Sequence, residues 1–128
     1  MRLLMDTHSF LWFIGGSSKL SSNARQLIDD EKNEVFLSVG CLWEIAIKVN
    51  IGKLTLDTPF GTLIPQQLSL NRITLLDIAV THAIALSNLP LHHRDPFDRL
   101  IVVQALVEQL PVVSIDTIFD SYGVTRLW

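Results

Sequence analysis

MRLLMDTHSFLWFIGG, residues 1–16, holds the pattern that decides the fold. Arg2 to Asp6 reads as a short buried strand that ends on an acid. Thr7 to Ile14 then reads as a helix, nearly all apolar through Phe10, Leu11, Trp12, Phe13 and Ile14, and Gly15-Gly16 stops it. The same grammar recurs downstream. Ser21-Ser22 cap a helix running to about Asp30, with Ala24, Leu27 and Ile28 on its inner face. Val35-Phe36-Leu37-Ser38 is a second strand, followed by a helix from about Val39 to Asn50 that Gly52 closes. A helix at about Pro59–Leu70 leads to a third strand, Ile73-Thr74-Leu75-Leu76. Asp77 is expected to cap a helix over 78–88, with Ile78, Ala79, His82, Ala83 and Leu86 at helical spacing. Asp95-Pro96 reads as an N-cap followed by proline at the first helical position, opening a helix to about Gln109. Pro111 then starts a strand over 112–116, and Thr125–Trp128 supplies a last one. Strands alternating with helices predict an α/β sandwich on a mostly parallel sheet, formed by one domain over residues 1–128.

Four acids stand where that pattern calls for apolar residues. Asp6 ends the first strand, and Glu44 interrupts Leu42-Trp43-Glu44-Ile45-Ala46-Ile47. Asp98 precedes Leu100-Ile101-Val102-Val103, and Asp116 follows Val112-Val113-Ser114-Ile115. An ionised carboxylate is costly to bury unless it is paired or holds a metal. Each acid also has a plainer explanation. Asp6 can cap the helix at Thr7, and Asp116 a short helix at Thr117–Phe119. Glu44 can pair with Lys48 four residues on, for about 0.2–0.5 kcal/mol. Asp98 can complement a helix dipole. Asp95 divides evenly between N-cap and second-line ligand. Four such coincidences together point to a shared site for a divalent cation. Asp6 and Asp116 fall at strand ends, the place where parallel α/β sheets gather ligands. Glu44 and Asp98 fall early in helices. His92-His93 are adjacent and read as loop residues, His82 as a core histidine, and His8 is given no role.

Composition sets limits. The chain has 128 residues, 48% hydrophobic, with a net charge of −3 and a mean hydropathy of +0.36. It is no polycation that coats nucleic acid, so any such binding must come from local basic groups and metal. Cys41, the one cysteine, excludes an internal disulfide and a cysteine-rich zinc site and reads as a small buried hydrophobe. No run approaches the roughly 18 apolar residues of a membrane span, and Asp6 and His8 break the apolar N-terminus. A cytoplasmic protein with no membrane contact is expected. Trp12, Phe13 and Ile14, with Leu42 and Trp43, offer apolar area that either core packing or a partner can use.

Several blocks resemble PIN-domain proteins of the VapC toxin type: Met5-Asp6-Thr7-His8, LWEIAIK at 42–48, Gly52-Lys53-Leu54, HHRDPFDRLI at 92–101, and Asp116 with Tyr122-Gly123-Val124 and Leu127-Trp128. They run in order along essentially the whole chain. The resemblance implies a Rossmann-like three-layer α/β/α sandwich and a Mg²⁺- or Mn²⁺-dependent ribonuclease. It further implies a homodimer, blocked by a small antitoxin. By position it places the acidic constellation on Asp6, Glu44, Asp98 and Asp116, with Thr7 and Ser114 as polar helpers. Ser114-Ile115-Asp116 departs from a common Thr-x-Asp with a basic or polar middle residue, so Ile115 removes a phosphate contact.

The chemistry expected is hydrolysis of RNA phosphodiesters, with hard carboxylate oxygens matching Mg²⁺ or Mn²⁺. Lys48, Arg94 and Arg99 are the expected contacts to the RNA backbone. Two alternatives stay open: a PIN-fold binding or regulatory domain without nuclease activity, and a Rossmann-like phosphatase. The phosphatase would want Asp-x-Asp at the first strand, whereas position 8 is histidine.

Overall fold

A computed structural model describes residues 1–128. Five strands form one sheet: β1 Arg2–Met5, β2 Glu34–Ser38, β3 Ile73–Leu76, β4 Val112–Val113 and β5 Arg126–Leu127. Their order is β3-β2-β1-β4-β5, with every neighbouring pair parallel. Between them run α1 Thr7–Ile14, α2 Ser22–Asp29, α3 Val39–Asn50, α4 Phe60–Leu70, α5 Val80–Ser87 and α6 Pro96–Glu108. A 3₁₀ helix, Thr117–Tyr122, precedes β5.

The layering follows from burial. Successive residues of a strand point to opposite faces. Leu3, Leu4 and Met5 of β1 and Val112 and Val113 of β4 are all fully buried, so both faces of the sheet are covered. This is the α/β/α sandwich, and the near-continuous apolar strands are what a parallel sheet wrapped by helices requires. From β1 the chain builds outward to β2 and β3, then crosses back to place β4 on the other side of β1. The order therefore reverses between β1 and β4, and their carboxyl ends flank the crevice where such sheets bind ligands.

Two local expectations need correction. Asp77 does not cap the fifth helix, which starts at Val80 behind Ala79. The buried ring of His82 does that work instead, its Nδ1 accepting the Ala79 N–H at 2.9 Å while Nε2 lies 3.0 Å from Glu108. Of the inner face expected for this helix, only His82 is buried, at 1% exposure. Ile78 and Leu86 are exposed, because α5 packs chiefly against α6, where His82 meets Glu108. Cys41 is buried, and its thiol is pushed up to about 12 by desolvation. No helix is long and apolar enough to cross a membrane.

Candidate metal centre at the carboxyl edge of the sheet

Each acid reaches the β1/β4 crevice from a different element. Asp6 follows β1 directly, its backbone N–H still bonded to Val113 O of β4 at 3.3 Å. Its carboxylate is 4% exposed as a residue. Oδ1 accepts the Ser9 N–H at 2.9 Å, capping α1, and Oδ2 accepts the Ser114 hydroxyl at 2.6 Å. The capping role and the crevice position are thus held by one side chain. Glu44 comes from the second turn of α3 and is buried. Oε1 accepts the Thr7 hydroxyl at 2.7 Å, and Oε2 meets Lys48 Nζ at 2.7 Å.

Asp116 follows β4. Its backbone N–H donates to Ser114 Oγ at 3.0 Å, and its Oδ1 caps the 3₁₀ helix through Ile118 N–H at 3.0 Å. Asp98 stands in the first turn of α6. His93 Nε2 lies between these two carboxylates, 3.1 Å from Asp98 Oδ2 and 3.5 Å from Asp116 Oδ2. Ligand atoms of His93, Asp98 and Asp116 all fall within 4.8 Å of one another. The polar contacts form two sets, Lys48–Glu44–Thr7 and Asp6–Ser114–Asp116–His93–Asp98, which the chain itself joins at the adjacent residues Asp6 and Thr7.

The electrostatics match the crowding. Desolvation raises Asp98 from 3.8 to about 7; Asp95, Asp6 and Glu44 raise it as well, and His93 alone opposes them. Asp6 is also raised, by burial first, against the hydrogen bonds from Ser114 and Ser9. Four carboxylates face one ammonium in direct contact, that of Lys48. A group of hard oxygens with this much uncompensated charge fits a hard divalent cation. The rim is open. The side chains of Asp98 and Asp116 are 25% and 43% exposed, while Asp6 and Glu44 are buried.

The remaining predicted residues sort differently. Asp95 is an N-cap, its Oδ1 accepting from Phe97 N–H and Asp98 N–H at 2.8 and 3.2 Å. Arg94 is exposed. Arg99 is not free for a phosphate. Its guanidinium donates to the carbonyls of Leu89, Pro90 and His93 and to Tyr122 Oη, so it ties the 89–93 loop to the 3₁₀ helix. The residue that sequence reasoning set aside is His93. Considering the His92-His93 pair only as chelators hid the placement of one ring between two acids. Of the apolar excess, Phe13 is buried, Trp12, Ile14 and Leu42 pack partly against the core, and Trp43 is 68% exposed.

A parallel α/β/α sandwich with an acidic rim at its switch point defines the class, and sequence comparison defines the family. The model of the PIN domain matches residues 3–124, and the chain belongs to that family. Among solved structures it is similar to a chain in the crystal structure of VapBC2 from Rickettsia felis bound to a DNA fragment from their promoter. That match has 15% identity and a TM-score of 0.74, covering 99% of this chain and 98% of that one. It is similar to a chain of FitAB bound to a DNA fragment, at 16% identity and TM-score 0.68, covering 99% and 94%. A chain of FitAcB from Neisseria gonorrhoeae matches at 18% identity and TM-score 0.65, covering 100% and 97%. At these identities the likeness is one of fold. No curated protein matches the sequence significantly.

Proposed function

We propose that this PIN-domain chain is a Mg²⁺- or Mn²⁺-dependent endoribonuclease of the VapC type, the toxin of a toxin–antitoxin pair. The observation that carries the reading is the meeting of four acids at the carboxyl ends of β1 and β4: the charges of Asp6 and Glu44 both bear on Asp98, one histidine ring touches Asp98 and Asp116, and Ser114 bonds both Asp6 and Asp116. Such a concentration of acid is repulsive to RNA by itself and becomes receptive once a cation is held there. Asp6, Glu44, Asp98 and Asp116 would hold the ion, which supplies charge neutralisation at the phosphoryl oxygens and a more acidic water.

The chain's own groups have definite tasks in this reading. Ser114 and Ser9 orient the Asp6 carboxylate, one at each oxygen. Thr7 and Lys48 fix Glu44 at the buried end of the site, where it would orient an attacking water. Asp98, contacted by the His93 ring, would complete the ligand set from α6. Arg94, exposed beside the rim, steers the phosphate backbone.

The fold it shares with chains of VapBC and FitAB complexes supports the pairing with a small antitoxin. A groove lined by Leu11, Ile14, Leu54, Leu56 and Leu63 supplies apolar surface for such a segment. A homodimer, a single domain over 1–128 and a cytoplasmic site of action belong to the same reading.

Offering the chain labelled single-stranded RNA, DNA of the same sequence and a phosphate monoester, each with Mg²⁺, tests it. Cutting of RNA with the monoester untouched is expected. Turnover of the monoester alone would replace the reading with the phosphatase one.

A further inference from the structure

Every polar atom of His93 is engaged, an unusual arrangement for a loop histidine that is about a quarter exposed. Its backbone N–H donates to Tyr122 Oη at 2.8 Å, next to the His92 N–H at 2.9 Å. Its carbonyl accepts from Arg99 at 3.2 Å. Its Nδ1 accepts the backbone N–H of Asp95 at 3.1 Å. A backbone amide can only donate, so Nδ1 presents its lone pair there and the ring proton sits on Nε2. That proton faces Asp98 Oδ2 and Asp116 Oδ2, from α6 and from the end of β4.

We infer that His93 is a positioning residue for the cation site and not one of its ligands. The inference rests on the metal-dependent reading above. With Nδ1 committed to Asp95, Nε2 has a hydrogen to offer and no lone pair, so the coordinating set stays all oxygen. The N–H holds two mutually repelling carboxylates together, their ligand atoms within 4.8 Å of one another. Tyr122 and Arg99 hold the loop that holds the ring. This also gives Arg99 a task other than phosphate contact, and it makes the 89–95 loop a part of the site's construction. Hydrogen-bond partners of metal ligands typically contribute 10–100-fold in metal affinity.

The test is Mn²⁺ binding followed by electron paramagnetic resonance, with wild type, His93→Ala and His93→Gln compared. The glutamine amide places an N–H donor near the position of Nε2 and has no ring nitrogen to coordinate. We expect Mn²⁺ binding to weaken about 10-fold or more in His93→Ala and to recover largely in His93→Gln. The wild-type spectrum should carry no coupling from a directly bound nitrogen. Direct nitrogen coupling would overturn the inference by making His93 a ligand. Unchanged or tighter binding in a folded His93→Ala would overturn it while leaving the metal reading intact. A wild type that binds no Mn²⁺ would remove both. Should His93→Ala fail to fold, the wild-type spectrum and His93→Gln still decide between donor and ligand.

Discussion

Ser114 Oγ donates to Asp6 Oδ2 at 2.6 Å, joining residues 108 positions apart across the ends of β1 and β4. The same oxygen accepts the Asp116 N–H at 3.0 Å. One hydroxyl therefore sets the position of two of the four acids, at the point where the strand order reverses. Short O–H to carboxylate bonds of this kind are about twice as strong as neutral ones.

Ser114→Ala removes the donor to Asp6 and the acceptor of Asp116 in a residue with no solvent exposure. Stability should fall by about 1.5–3 kcal/mol, measured by urea unfolding in EDTA. Ser114→Thr, which keeps the hydroxyl at the cost of one added methyl, should lose less than Ser114→Ala. Equal losses in the two variants would show that packing and not the hydroxyl matters.

Asp98 titrates at about 7 in the fold against an ordinary 3.8. Between those values the native state keeps a proton that the unfolded chain has released. Metal-free stability should therefore fall as pH rises from about 4 to about 7 and level off above. Asp6, raised by burial, adds in the same direction. Melting temperatures in EDTA at pH 5 and pH 8 should show a larger drop for wild type than for Asp98→Asn. Divalent-ion affinity should climb through the same window, because the ion displaces the proton. A melting temperature that rises from pH 5 to pH 8 contradicts the assignment.

Arg94 and Arg99 should behave differently although both carry positive charge near the site. Arg94→Ala should raise KM for RNA with little change in kcat or stability, since the side chain is exposed. Arg99→Ala removes the donor to three carbonyls and Tyr122 Oη, and should cost about 1–3 kcal/mol. Steady-state kinetics beside chemical denaturation separates the two patterns. A pure KM effect for Arg99→Ala would return it to the RNA surface.

Tyr122→Phe takes the shared acceptor away from the amides of His92 and His93 and from Arg99. Amide hydrogen exchange at His92 and His93 should accelerate, with the β1 and β4 amides unchanged. Unaltered exchange at both loop amides would show that the hydroxyl does not hold the loop.

The strands and acids were legible because they are local signals. A short apolar run closed by an acid, followed by helical spacing, identifies Asp6 without any knowledge of its neighbours. The Asp95-Pro96 cap likewise announces α6. What local pattern cannot carry is strand order, so the meeting of β1 with β4 and the Ser114–Asp6 bond came only from the structure. Arg99 looked like a phosphate contact because charge is visible in sequence and a cage of carbonyls is not. His93 was passed over because adjacency with His92 argues against chelation, whereas its position depends on Tyr122, 29 residues away. Asp77 was expected to cap α5 because it has the right side chain, but the ring of His82 reaches the Ala79 amide from inside the helix.

The most direct measurement is cleavage of labelled single-stranded RNA by the purified, partner-free chain with Mg²⁺, with EDTA, and with excess Mg²⁺ restored after EDTA, beside a folded Asp6→Asn variant. The account predicts cutting that EDTA stops, that restored Mg²⁺ revives, and that Asp6→Asn lacks. Cutting that persists in EDTA or survives in Asp6→Asn, or no cutting across a panel that includes transfer RNA, contradicts it.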